Sequence, residues 1–80
     1  MPVVFIYKGY RFFFYSNEGM PREPLHVHVR RGEAIAKFWL DPVSLERAGG
    51  FKPHELNTIG KLVRENHDLL LERWHEYFGG

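Results

Sequence analysis

Eighty residues hold a single domain at most, read here as residues 1–80, so one small core must carry the whole stability. The absence of cysteine excludes disulfides, thiolate nucleophiles and cysteine-based zinc sites, and it fits a reducing cytoplasm. Net charge is only +1, but residues 1–40 carry six basic groups against three acidic and residues 41–80 five against seven, which favours an anionic partner on the first half.

The chain opens with MPVVFIYKGYRFFFY, where Lys8 and Arg11 interrupt the apolar run. This excludes a signal peptide and a membrane span, so the expected location is the cytoplasm, with no membrane partner. Alternation of apolar residues predicts strands at about 3–7 and 10–16, joined by the turn Lys8-Gly9. NEGMPREP follows as a loop rich in turn formers, and a lid beside the next strand is one role open to it.

LHVHVRR and AIAKFWL read as two further strands joined at Gly32-Glu33, where glycine in the first position suits a type II′ turn. That turn fixes a register. Val29 faces Ala36, Val27 faces Phe38 and Leu25 faces Leu40, so these apolar pairs form the core face. The other face pairs Arg30 with Ile35, His28 with Lys37 and His26 with Trp39. A slip of one residue would drive both histidines into the core.

DPVSLERAGG reads as a short helix, with Asp41 as N-cap, Pro42 at the first position and Gly49-Gly50 as the stop. Pro53 then opens a long helix over about 54–78, whose apolar face runs through Leu56, Ile59, Val63, Leu70, Trp74, Tyr77 and Phe78. Leu62, Leu69 and Leu71 fall outside that stripe, which predicts a second contact such as a homodimer. The expected fold class is α+β: a mostly antiparallel sheet of about four strands in two hairpins, with a short helix and a long C-terminal helix packed on one face.

His26 and His28 share one sheet face with Arg30, Lys37 and Trp39, and Arg11, Phe13 and Tyr15 join them if the second strand lies alongside. Three functional readings fit. In the first, His26 and His28 bind a metal, with His67, Glu18 or Glu23 as a third ligand, and serve a metal-dependent hydrolase. Lys37 opposite His28 opposes a cation there. In the second, no cofactor is needed: His26 and His28 are the acid–base pair, Arg30, Lys37 and Arg11 hold phosphate, and Trp39 stacks on a base of RNA. In the third, the same face binds nucleic acid or a partner protein without catalysis. The residues alone leave open whether the protein is an enzyme, and an ordinary half-wet sheet face accounts for the same pattern. His54 and His75 read as solvated surface, and His67 as a buried histidine hydrogen-bonded beside Asn66.

Taken together, GYRFFFYSNEG, EPLHVHVRR, AKFWLDPVSL, GF…EL and LLERWHEYF resemble domain of unknown function family 4160 across essentially the whole chain. The family's P-x-H-V-H-V element matches Pro24 to Val29, and A-K-F-W-L matches Ala36 to Leu40. Leu25 stands where the family often has proline, and the MPRE stretch lengthens the loop. The resemblance implies a small bacterial protein encoded beside another small protein in a toxin–antitoxin-like pair. Its expected partner is then RNA or the cognate protein from the neighbouring gene.

Overall fold

The computed structural model describes residues 3–15 and 24–79. The loop read around residues 17–24 falls, apart from Pro24, outside the described residues, as do Glu18 and Glu23.

Five strands form one antiparallel sheet in simple sequence order: β1 (Val3–Tyr7), β2 (Tyr10–Phe13), β3 (His26–Arg31), β4 (Ala34–Leu40) and β5 (Val43–Gly49). Two helices follow, α1 (Pro53–Glu65) and α2 (His67–Phe78). The expected α+β class and the antiparallel sheet are therefore present, with five strands rather than about four.

The first two turns follow their local chemistry. Lys8 and Gly9 both have positive φ, at 47° and 86°, as a type I′ hairpin turn requires. Gly32 has φ of 60° while Glu33 does not enter the positive region, as in type II′. The β3–β4 register is the one the turn dictates, from Arg31 opposite Ala34 to His26 opposite Trp39.

The predicted short helix at DPVSLERAGG is instead β5. Asp41 and Pro42, joined by a cis peptide bond, form a two-residue turn, and Leu40 pairs with Val43 across it. Asp-Pro is equally an N-cap with a first-turn proline, so local chemistry alone does not choose between helix and hairpin. The open backbone edge of β4 decides it. Between Lys37 and Phe38 the pairing shifts by one residue, because β5 carries Glu46 as an extra residue in a bulge.

Gly50, at φ of 90°, turns the chain from β5 toward α1, and a Cβ there would lie only 3.0 Å from Ala34 Cα. The predicted single long helix bends into α1 and α2 at Asn66. The Asn66 side-chain amide donates to the Leu62 carbonyl at 2.9 Å, beside the regular bond from the Asn66 backbone N–H to the same carbonyl at 3.0 Å. His67 donates from Nε2 to the Leu40 carbonyl, so it is hydrogen-bonded, but to the sheet rather than to Asn66, and it is only half-buried rather than buried as expected.

Both helices cover one face of the sheet. Phe12, Val27, Val29, Ala36, Phe38 and Leu40 meet Ile59, Val63, Leu70 and Trp74 there. Each fully buried aliphatic or phenyl side chain contributes about 1.5–3 kcal/mol. Leu62 and Leu71 pack partly buried against this core, which gives them a partner within the chain.

Candidate functional site

On the face away from the helices, alternation and register line up side chains in rows. Phe13, His28, Lys37 and Arg47 are successive cross-strand neighbours over β2, β3, β4 and β5. Two residues along, the next row runs Arg11, Arg30, Ile35 and Gly49. On the other side lie His26, Trp39 and Ser44. The strand adjacency that brings Arg11, Phe13 and Tyr15 beside the histidines is thus present.

A cleft of about 350 Å³ opens on this face. Tyr15, His28, Ile35, Lys37 and Arg47 line it, together with Ala36, Ala48 and Gly49. The His28 ring is only 3% exposed. It stacks on Phe13 at 5.6 Å and meets the Tyr15 ring at 4.5 Å. Lys37 is 8% exposed, and its Nζ lies 4.7 Å from the centre of the Trp39 ring. Contact with an aromatic face stabilises a largely desolvated ammonium. Arg47 is the open member, its side chain 74% exposed, with Nε 3.4 Å from Glu46 Oε2.

The predicted site residues divide accordingly. His28 and Lys37 meet in the cleft. Arg11 and Arg30 stand exposed in the neighbouring row, with Arg30 Nε donating to the Gly32 carbonyl at 3.1 Å. Trp39 acts on the cleft through Lys37.

His26 is wholly buried. Its Nδ1 donates to the Pro24 carbonyl at 2.9 Å, which fixes the proton on that nitrogen. Its ring packs against His28 at 5.2 Å, Trp39 at 5.8 Å and Trp74 of α2 at 5.1 Å. Among the described residues, no group of three or more His, Asp or Glu is arranged to hold a metal ion, and His67 is engaged with Leu40.

Arg47 is the site residue that sequence reasoning missed. An unbulged hairpin closed at Asp41-Pro42 would pair Lys37 with Glu46. The extra residue in β5 places the guanidinium there instead of the carboxylate. A bulge of this kind leaves no mark in composition or period.

A second cluster sits at the other end of β2. Tyr10 donates its hydroxyl hydrogen to Glu55 Oε2 at 3.2 Å, and Arg31 donates to the same carboxylate at 3.3 Å while lying over the Tyr10 ring. It ties α1 to the sheet.

The motif resemblance extends to the whole pattern, which matches the domain of unknown function (DUF4160) over residues 9–75. The chain belongs to the DUF4160 family. Among the curated proteins and the solved structures, nothing matches. For this DUF4160 protein the family match covers the histidine strand, the cleft, α1 and most of α2, and it carries no assigned activity. No helix among the described residues is long and apolar enough to cross a membrane.

Proposed function

We propose that this DUF4160 protein binds single-stranded RNA on the outer face of its sheet, as the cytoplasmic member of a toxin–antitoxin-type pair. The observation that carries the reading is the row His28–Lys37–Arg47 on one cleft, with Arg11 and Arg30 in the next row. Lysine gives a point charge for phosphate and arginine a planar fork, while Tyr15 offers a ring on which a base can stack. Binding is favoured over cleavage, because acid–base work needs both imidazoles at the scissile bond. Of the pair, only His28 lines the cleft, and buried His26 supports it from behind.

The test is a fluorescence-anisotropy titration with short single-stranded RNA at several salt concentrations. Tight binding that weakens steeply with salt is expected. The Arg11→Ala/Arg30→Ala/Arg47→Ala variant should lose most of the affinity and flatten the log–log salt slope by roughly 2, at ~0.7 per phosphate contact. No RNA binding at low salt would sink the reading. Growth arrest on expression in a bacterial host, relieved in the same variant, would assign the toxic rather than the protective role.

The second reading is a module for the cognate small protein or for a second copy of the chain. Exposed Ile6 on edge strand β1 and Ile35 at the cleft favour it.

A further inference from the structure

The outer face is not a flat basic surface, because Lys37 at its centre is recessed. His28 and Lys37 form the floor of the cleft, and Arg47 stands at its rim. At about 350 Å³ the cleft lies near the lower end of the ~300–1,000 Å³ range of small-ligand sites. An internal phosphodiester is flanked by nucleotides on both sides and has to track along a surface to be held. A terminal phosphate is flanked on one side only and can enter a recess.

Charge points the same way. A phosphomonoester carries about −1.5 to −2 near neutral pH and has three acceptor oxygens, whereas a diester carries a single charge. Lys37 and Arg47 are two cations in adjacent strands at one register position. The contact between Arg47 and Glu46 is an exposed ion pair, of the kind that salt and competing anions readily displace.

We infer that the cleft is a receptor for one phosphomonoester group, supplied either by the phosphorylated end of an RNA or by a free nucleotide. The phosphate sits between Lys37 and Arg47, and the attached nucleoside lies against Tyr15. This rests on the reading of the outer face as an RNA surface and specifies what its centre recognises.

The experiment is a competition series against a labelled single-stranded RNA. The competitors are the same eight-nucleotide RNA with a 5′-phosphate, with a 3′-phosphate or with hydroxyls at both ends, and adenosine monophosphate alone. Direct calorimetric titration with adenosine monophosphate runs beside it. At least one phosphorylated RNA is expected to compete about tenfold better than the hydroxyl-ended one, as charge-assisted bonds to a second negative charge would give. The Arg47→Ala variant should close that gap; its side chain is exposed, so circular dichroism, measured first, should match that of the wild type. Lys61→Ala, on the exposed side of α1, should preserve the gap.

Adenosine monophosphate binding as tightly as the phosphorylated RNA identifies a free nucleotide as the source. A clear advantage for the RNA identifies the polymer end. Equal competition by all three RNAs would overturn the receptor while leaving the RNA surface standing. Calorimetric binding of adenosine monophosphate without any RNA binding would support the receptor and remove the RNA reading. Binding of neither removes both.

Discussion

Glu55 shows how one carboxylate can join several parts of the molecule. Oε1 accepts from the Lys52 backbone N–H at 2.9 Å, closing the first turn of α1, while Oε2 accepts from Tyr10 and Arg31 of the sheet. The Lys52 N–H is the largest cause that holds the Glu55 carboxyl below its ordinary value of 4.5; desolvation opposes it, and the Tyr10 hydroxyl and the Arg31 charge add to it. A folded-state pKa below the unfolded one means stability that is present above the unfolded value and lost as pH falls through the folded one. Glu55→Gln should therefore unfold at lower urea than wild type at pH 7, and the gap should shrink toward pH 3. A gap of the same size at both pH values would mean that the carboxylate charge is not what matters. His26 presents the opposite case, a polar ring serving as core. His26→Ala removes its packing on Trp39 and Trp74 and should cost about 2–4 kcal/mol in urea unfolding. A loss below about 0.5 kcal/mol, the scale of an ordinary surface change, would contradict that role.

Elements differ in how plainly the sequence announces them. The β3–β4 hairpin is legible because two independent signals agree: the alternation of Leu25, Val27 and Val29 and the two-residue turn at Gly32-Glu33. β5 is not, since an edge strand exposed along nearly its whole length has no buried face to impose alternation. Ser44 to Ala48 reads as helix, and only pairing with β4 makes it strand. The long amphipathic run is legible as helix, but the break at Asn66, where φ is −107° and ψ is 21°, leaves no mark in the apolar period. Gly60 tests the helix scale directly. It lies inside α1, where glycine costs about 1 kcal/mol relative to alanine. A Cβ there would meet Phe38 and Arg64 at 3.6 Å, an ordinary contact. Gly60→Ala should stabilise the protein by about 0.5–1 kcal/mol and raise Tm by roughly 2–8 °C. A lower Tm would mean that the helix and β4 are packed too closely at that point to admit a methyl group.

At the scale of the whole molecule, the sheet has two dissimilar faces and the helices decide which is core. The sequence divides the faces correctly for β3 and β4, and with them the placement of His28 and Lys37. The burial of His26 is not legible, because it depends on α2 bringing Trp74 to the end of the sheet. Trp74 meets Phe14 at 5.3 Å, Phe78 at 4.3 Å and His26 at 5.1 Å, so it closes the core and backs the candidate site at once. Truncating a buried tryptophan costs about 3–5 kcal/mol. A domain of this length has roughly 4–12 kcal/mol in total. Trp74→Ala should therefore lower Tm by well over 10 °C or leave the chain largely unfolded by circular dichroism, whereas Tyr77→Ala, at a position 46% exposed on the same helix, should stay within about 0.5 kcal/mol of wild type. If the two substitutions cost the same, α2 does not seat on the sheet through its Trp74 face, and the wall behind His26 would have to come from elsewhere in the chain.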